Sequence, residues 1–384
     1  MSGIDINLRN NLTKCRLPAE QAYSLPPSCY ANLAVTGLEI EHIFRTSWFG
    51  IGRSDIAKNT GDFIALDVAD QPLLLVRGKD NVLRSFANAC RHRGARLKDG
   101  NGHCGGIRCP FHSWSYKLNG NLIAAPHMKD ASEFDYGDYN LVEYRTAERG
   151  GFVFVCLNSN APEIDDVLGD FLDVHAPWPL ETLVSTRRNE LSVDCNWKAF
   201  LEVFNEYYHL PFVHADSIDN IYMKPEPNDE TTGEYVSQFG RTDGTGGLLQ
   251  TEQQHALPPM PKLIGKAASG VRYTWLFPNM TFAAGTDALW VYEAYPLGPD
   301  KCKVIQTACF PPETLDAPEI TEKLAAYHSR LDAALDEDLA ALANQHAGLK
   351  SSDAKQGRFH PLLEANVAGF ANWYAKKMIA TNAH

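Results

Sequence analysis

Cys90-Arg91-His92 and, sixteen residues on, Cys109-Pro110-Phe111-His112 decide how this chain is read. Two thiols and two imidazoles in the order C-x-H…C-x-x-H suit a Rieske-type [2Fe–2S] centre. Thiolates hold one iron there and neutral imidazoles the other. A tetrahedral zinc site accepts the same four ligands, but zinc runs usually pair Cys with Cys and His with His. Here each half contains one of each, as a cluster with two unlike irons requires. Arg93, Gly94, Gly105, Gly106 and Pro110 predict tight loops whose backbone N–H groups can approach sulfur. Cys104 lies close by and reads as structural. Cys15, Cys29, Cys156, Cys195, Cys302 and Cys309 read as reduced, packed thiols.

Outward from these pairs the sequence is strand-like. Residues 63–68, 73–77 and 151–157 are short β runs, and Gly78-Lys79-Asp80-Asn81 is a turn signal, so a small all-β module is expected. We place an N-terminal arm at 1–44, packing on the catalytic domain, the cluster domain at 45–160 and the catalytic domain at 161–384. The chain has 384 residues, 44% of them hydrophobic, enough for two cores. Its 35 basic and 47 acidic residues leave a net charge of −12, which argues against a nucleic-acid surface. No run approaches the roughly 20 apolar residues of a membrane helix, and residues 1–17 lack an apolar signal core. A cytoplasmic protein is expected.

Beyond residue 161 the periodicity changes. Asp194-Cys195-Asn196 predicts a cap for a helix running through Trp197, Phe200, Leu201, Phe204 and Tyr208. Residues 215–269 read as long loops, 272–277, 289–295 and 303–310 as strands, and 318–347 and 362–379 as helices. The fold class is therefore α+β, with an antiparallel sheet flanked by helices in the larger domain. Near the end of the first helix stand Glu206, His209 and His214. Pro211 cannot continue the helix, so the chain can turn and aim both imidazoles at one point. Two histidines and a carboxylate hold Fe(II) with positions left open for O2. A lone H-x4-H is more often a pair of hydrogen-bonded core histidines; after the cysteine–histidine pairs it becomes informative. Glu206, three residues before His209, would share its helix face and can hydrogen-bond its second ring nitrogen.

The stretch 88–94 with 109–116 resembles the cluster segment of the ring-hydroxylating oxygenase large subunits. Asn196-Trp197-Lys198…Glu202…Glu206…Tyr208-His209…His214 resembles that family's N-W-K…E…D/E-x-Y-H-x4-H motif. The resemblance implies a mononuclear iron held by His209, His214 and a late carboxylate. Glu337-Asp338-Leu339 followed by His346-Ala347-Gly348-Leu349 is similar to the family's E-D-L and Q-x-G-L, with His346 in place of Gln. That points to Asp338; Asp336 is the alternative, and a solvated acidic helix face is the plain reading. Glu202 and Asn205 assist or buttress.

The resemblance also implies that Glu206 bridges to His112 of a neighbouring subunit, because the two metals of one chain lie too far apart for fast transfer. A head-to-tail homotrimer follows. Most members have Asp at this position; Glu resembles the branch acting on carnitine, glycine betaine and related methylated amines, where no small β subunit is expected. The implied activity is that of a terminal oxygenase component. It uses O2 and electrons from a separate NAD(P)H-dependent flavin/iron–sulfur reductase, with or without a ferredoxin. The expected reaction is monooxygenation of a methylated amine with N-demethylation or C–N cleavage. No G-x-G-x-x-G follows a strand and no P-loop is present, so nicotinamide and flavin belong elsewhere. Ring hydroxylation, by mono- or dioxygenation, is the alternative, and a Rieske electron carrier without oxygenase activity is the alternative of another class. Candidate pocket aromatics are Phe204, Tyr207, Phe212, Trp275, Phe277, Phe282 and Trp290, part of which would be plain core.

Overall fold

The structure, a computed structural model, describes residues 4–380; positions 1–3 of the arm and 381–384 lie outside the described residues. The described residues form two compact units, one of residues 44–161 and one combining the chain before residue 44 with that after residue 161.

The smaller unit is built on a seven-stranded sheet. Its strands run, edge to edge, Trp48–Arg53, Phe152–Cys156, Glu143–Arg149, Leu83–Ala87, Gln71–Arg77, Asp62–Val68 and Asn101–His103. The apolar run at 151–157 forms a strand buried on both faces. Ala69 and Asp70 turn between two of these strands, both at positive φ (48° and 64°), the conformation that matches the strands' right-handed twist. A three-stranded sheet of Ile107–Arg108, Ser115–Tyr116 and Leu122–Ala124 carries the second cysteine–histidine pair. Leu74, Val76 and Phe86 from the large sheet pack with Ile107, Trp114, Tyr116, Cys90 and Cys109 in one core, with Cys104 at its margin. No disulfide forms among the described residues.

The larger unit holds a six-stranded antiparallel sheet. Val184–Val193, Cys302–Phe310, Leu289–Pro296, Met280–Ala284, Gly270–Leu276 and Tyr235–Arg241 lie side by side in that order. Tyr235–Arg241 corrects the expectation of continuous loop from 215 to 269. This strand was hidden because its alternation is broken by Ser237 and Gln238, which are buried. Ser237 meets Thr274 at 3.0 Å, and the Gln238 amide donates to the Glu226 and Leu362 carbonyls. The helices Trp197–Phe204 and Ala365–Ala380 pack on the sheet, and Ile320–Leu349 packs beside Trp197–Phe204.

The first of these helices also departs from expectation, ending at Phe204 rather than Tyr208. The Asn205 amide donates back to the Leu201 carbonyl at 2.7 Å and accepts from Thr281 at 3.1 Å, which pins the break to the sheet. Asn196 caps the other end through the Lys198 N–H. Lys198 itself is fully buried and pairs with Glu39 of the arm at 2.6 Å, both side chains 0% exposed. Trp197 and Tyr374 donate to the same carboxylate. The W-K pair thus fastens residues 28–39 to the catalytic body. Replacing Lys198 by Met leaves Glu39 buried without its counter-charge, so stability should fall by about 3–5 kcal/mol. Lys198→Met with Glu39→Leu should recover much of that loss, as read from urea-unfolding midpoints.

Candidate functional site

In the smaller unit the two pairs sit on successive tight loops. The Cys90 N–H bonds the Ala95 carbonyl and the Gly94 N–H bonds the Cys90 carbonyl, both at 2.8 Å, with Gly94 at φ 72° as the closing residue. The second loop repeats the device. Cys109 N–H bonds Trp114 O at 2.8 Å, Ser113 N–H bonds Cys109 O at 3.1 Å, and Ser113 takes the left-handed φ of 62°. The His92 and His112 rings lie 4.7 Å apart, and His92 stacks on buried Trp114 at 4.9 Å. Both cysteines are buried, whereas His112 and neighbouring Phe111 are exposed. The Tyr116 hydroxyl lies 3.3 Å from Cys90 Sγ and accepts from the Arg91 N–H. Burial raises the Cys90 pKa, and burial together with His112 and Arg93 lowers that of His92, which favours the neutral imidazole. Among the described residues this set does not bring three ligand atoms to one point.

In the larger unit His209, His214 and Asp338 do converge, with ligand atoms within 4.8 Å of one another. Glu206 was expected on the helix face but lies beyond the helix end. Its carboxylate nevertheless reaches His209 Nδ1 at 2.5 Å and accepts the Tyr208 and His209 N–H groups. Those bonds form a turn in place of another helical turn. Pro211 then occupies the first turn of a new short helix, Leu210–Val213, where its missing N–H costs nothing. His214 closes that helix, 1% exposed. Its Nδ1 lies 2.5 Å from Glu337, which also accepts from Ser217 at 2.6 Å. Glu337 was missed by sequence reasoning, since nothing in an acidic triplet says which members turn inward. Asp336 is exposed and takes no part.

Carboxylates on both Nδ1 atoms place the imidazole protons there and leave the Nε2 lone pairs to face Asp338. Asp338 Oδ1 lies 3.0 Å from His214 Nε2 and 3.5 Å from His209 Nε2. It is buried and accepts no hydrogen bond. Two nitrogen lone pairs and a carboxylate oxygen repel one another unless a cation lies between them. This donor set therefore fits Fe(II). Burial alone would lower the His214 pKa, but Asp338 and Glu337 outweigh it and hold it above the ordinary imidazole value.

A cavity opens beside these ligands. Phe204, Tyr207, Tyr273, Tyr292 and Arg330 line it with Leu210, Ile218 and Leu335. Of the expected pocket aromatics only Phe204 and Tyr207 reach it. Trp275 stacks instead on Phe370 at 4.0 Å and Phe277 packs tilted against it at 5.5 Å, Phe282 packs on Phe171 and His175, and Phe212 is 76% exposed. Trp290 lies behind Arg330, its ring 5.1 Å from the guanidinium. Tyr273, Tyr292 and Arg330 were missed because each comes from a strand or helix whose inward face only the packing reveals. Glu202 lines a second cavity with Glu206 and His209. It is buried, its pKa pushed up to about 7 by desolvation, and accepts the Tyr30 hydroxyl at 2.7 Å.

Residues 47–140 match the family described as the Rieske [2Fe-2S] domain, and residues 180–380 that described as the ring hydroxylating alpha subunit (catalytic domain). The glycine betaine monooxygenase oxygenase subunit of Chromohalobacter salexigens is 26% identical over 390 residues, covering 93% of this chain and 86% of that protein. The carnitine monooxygenase oxygenase subunit of Escherichia coli K12 is 33% identical over 212 residues, 54% of this chain and 56% of that protein. The quaternary ammonium monooxygenase CntA, solved with L-carnitine, superposes with a TM-score of 0.79 at 23% identity, covering 98% of this chain and 100% of that one. Naphthalene 1,2-dioxygenase from Rhodococcus superposes at 0.77 with 20% identity, covering 98% and 99%. So close a pair of scores shows a shared fold and leaves the substrate to the cavity.

Asp338→Ala is expected to strip the mononuclear iron while the visible absorbance of the cluster persists, as read by metal analysis and spectroscopy. Glu337→Gln should weaken iron retention by roughly 10–100-fold, because it loosens the hold on His214.

Proposed function

This chain belongs to the family of ring hydroxylating alpha subunits, with a Rieske domain beside the catalytic domain, and we propose that it demethylates a small methylated amine. It is a Rieske non-haem iron oxygenase and depends on a reductase for its electrons. We assign the cluster to Cys90, His92, Cys109 and His112, and the mononuclear iron to His209, His214 and Asp338. Bound there, the two groups supply electron relay and reductive activation of O2.

The observation that carries the substrate reading is the cavity wall. Phe204 and Tyr273 stand 5.3 Å apart, Phe204 and Tyr292 4.8 Å, and Tyr207 and Tyr273 5.7 Å. Burial raises the pKa of all three phenols, that of Tyr292 to about 12, so the rings stay neutral. Neutral aromatic side chains packed together on a cavity wall can attract a quaternary ammonium by cation–π contact. The relatives acting on glycine betaine and carnitine support the same substrate class. One O2, two electrons and two protons convert an N-methyl group into N-hydroxymethyl and water. The N-hydroxymethyl compound then breaks its C–N bond, releasing formaldehyde, a proton and the demethylated amine.

Glu206 holds His209 in its tautomer, and we assign it a second role as the acceptor side of electron entry. In a head-to-tail trimer it would meet the exposed His112 of the next subunit. We further assign the electron source to an NAD(P)H-dependent flavin/iron–sulfur reductase, with or without a ferredoxin, and the protein to the cytoplasm. No helix among the described residues is long and apolar enough to cross a membrane.

With a surrogate reductase and a set of methylated amines, formaldehyde should appear in a one-to-one ratio with NAD(P)H consumed. A cis-diol or a phenol from an arene, with no formaldehyde from any amine, would overturn the reading. Glu206→Gln, loaded with excess Fe(II) to offset its loosened hold on His209, should keep a dithionite-reducible cluster yet lose turnover by at least about 100-fold at matched iron content, the scale of a lost catalytic contact. Unimpaired turnover would remove Glu206 from the electron route.

A further inference from the structure

We propose that Arg330 is an anion anchor in the substrate cavity, so that the substrate is a zwitterion with a methylated ammonium at one end and a carboxylate at the other. This deepens the amine reading and rests on it for the ammonium end only.

Arg330 is 4% exposed and lines the same cavity as His209, His214 and Asp338. A guanidinium carries five N–H donors and no accessible neutral form. Among the described residues one hydrogen bond is made, from Nη2 to the Tyr222 hydroxyl at 2.8 Å, while Nε is buried with no acceptor. Tyr222 has nothing further to offer. Its oxygen also accepts from Tyr273 at 3.0 Å, and its proton goes to the Gly246 carbonyl. The buried Arg77 and Arg272 of this chain show the usual solution, each ion-paired to a carboxylate, Glu148 and Asp229. Arg330 has the faces of Trp290 and Tyr222 at 5.1 and 6.0 Å instead. Asp338 attracts this guanidinium only from a distance, and among the described residues no carboxylate is in ion-pair contact with it; a carboxylate entering the cavity would supply that contact through paired N–H···O bonds.

The placement is equally specific. Arg330, Ala334 and Asp338 recur every four residues and form one stripe of the Ile320–Leu349 helix on the cavity wall. Two helical turns, about 12 Å of axis, separate Arg330 from the iron-side aspartate. The acids on that wall, Glu206 and Asp338, are already engaged at His209 and at the point of convergence. A substrate carrying only positive charge would therefore face an uncompensated guanidinium. A substrate carboxylate removes that repulsion and orients the N-methyl groups toward the ligand cluster.

Calorimetric binding to anaerobic, iron-loaded protein tests this with four compounds: γ-butyrobetaine and its carboxamide, benzoate and benzamide. The carboxylate of at least one pair should bind about 100-fold or more tighter than its amide, since the amide leaves the guanidinium unpaired. Arg330→Gln should erase that preference, and Arg330→Lys should keep part of it. Iron content and cluster absorbance check that each variant is intact, and the Lys variant serves if the Gln variant is not. Preference confined to the benzoate pair would sink the amine reading and leave the anchor standing. Equal binding of acid and amide in both pairs, binding of neither acid, or a preference that survives in Arg330→Gln would each overturn the anchor.

Discussion

Two short carboxylate–imidazole contacts, Glu206 to His209 and Glu337 to His214, set the chemistry of the larger unit. Each fixes a tautomer, and together they turn two Nε2 lone pairs onto Asp338 Oδ1. A cluster of unprotonated donors in a buried place is electrostatically unfavourable until a cation joins it. The local backbone is arranged around that requirement. The chain leaves the helix at Asn205, wraps its N–H groups around the Glu206 carboxylate, and starts a new turn at Leu210–Val213 to deliver His214. Opposite, a single uninterrupted helix brings Glu337 and Asp338 to both histidines. Rigid elements hold these groups within the tolerance that metal chemistry demands.

The two candidate metal sites use opposite structural means. The cysteine–histidine pairs sit on hairpin-like loops tightened by left-handed residues, with sulfur buried and one imidazole at the surface. That suits a group which must exchange electrons with a partner. The histidine–carboxylate site is enclosed by helix and sheet and opens to an aromatic cavity, as a reaction that must exclude water requires. Superposition on both an amine monooxygenase and an arene dioxygenase shows that this architecture is indifferent to substrate. Discrimination therefore rests with the wall residues, above all the neutral tyrosines and the one buried guanidinium among them.

Much of this could be read directly from residue order. The C-x-H…C-x-x-H pairs point to a two-iron ligand set because ligand identity and short spacing are local properties, and the family match over 47–140 is to a domain that carries such a cluster. The α+β class was legible from the shift of hydrophobic period after residue 161, as was the long helix carrying Asp338. What could not be read was whatever depends on a contact between distant segments. The helix end moved from Tyr208 to Phe204 because Thr281 of the sheet binds Asn205. The strand Tyr235–Arg241 went unseen because its buried Ser and Gln find partners only across the fold. The apolar pattern predicts burial without saying against what, so Trp275 and Phe277 were offered to the pocket and belong to the core. By itself, then, the sequence determined which atoms could bind metal. Only the tertiary structure decided which carboxylates aim them and which charge lines the cavity, because those depend on side-chain direction across packed elements.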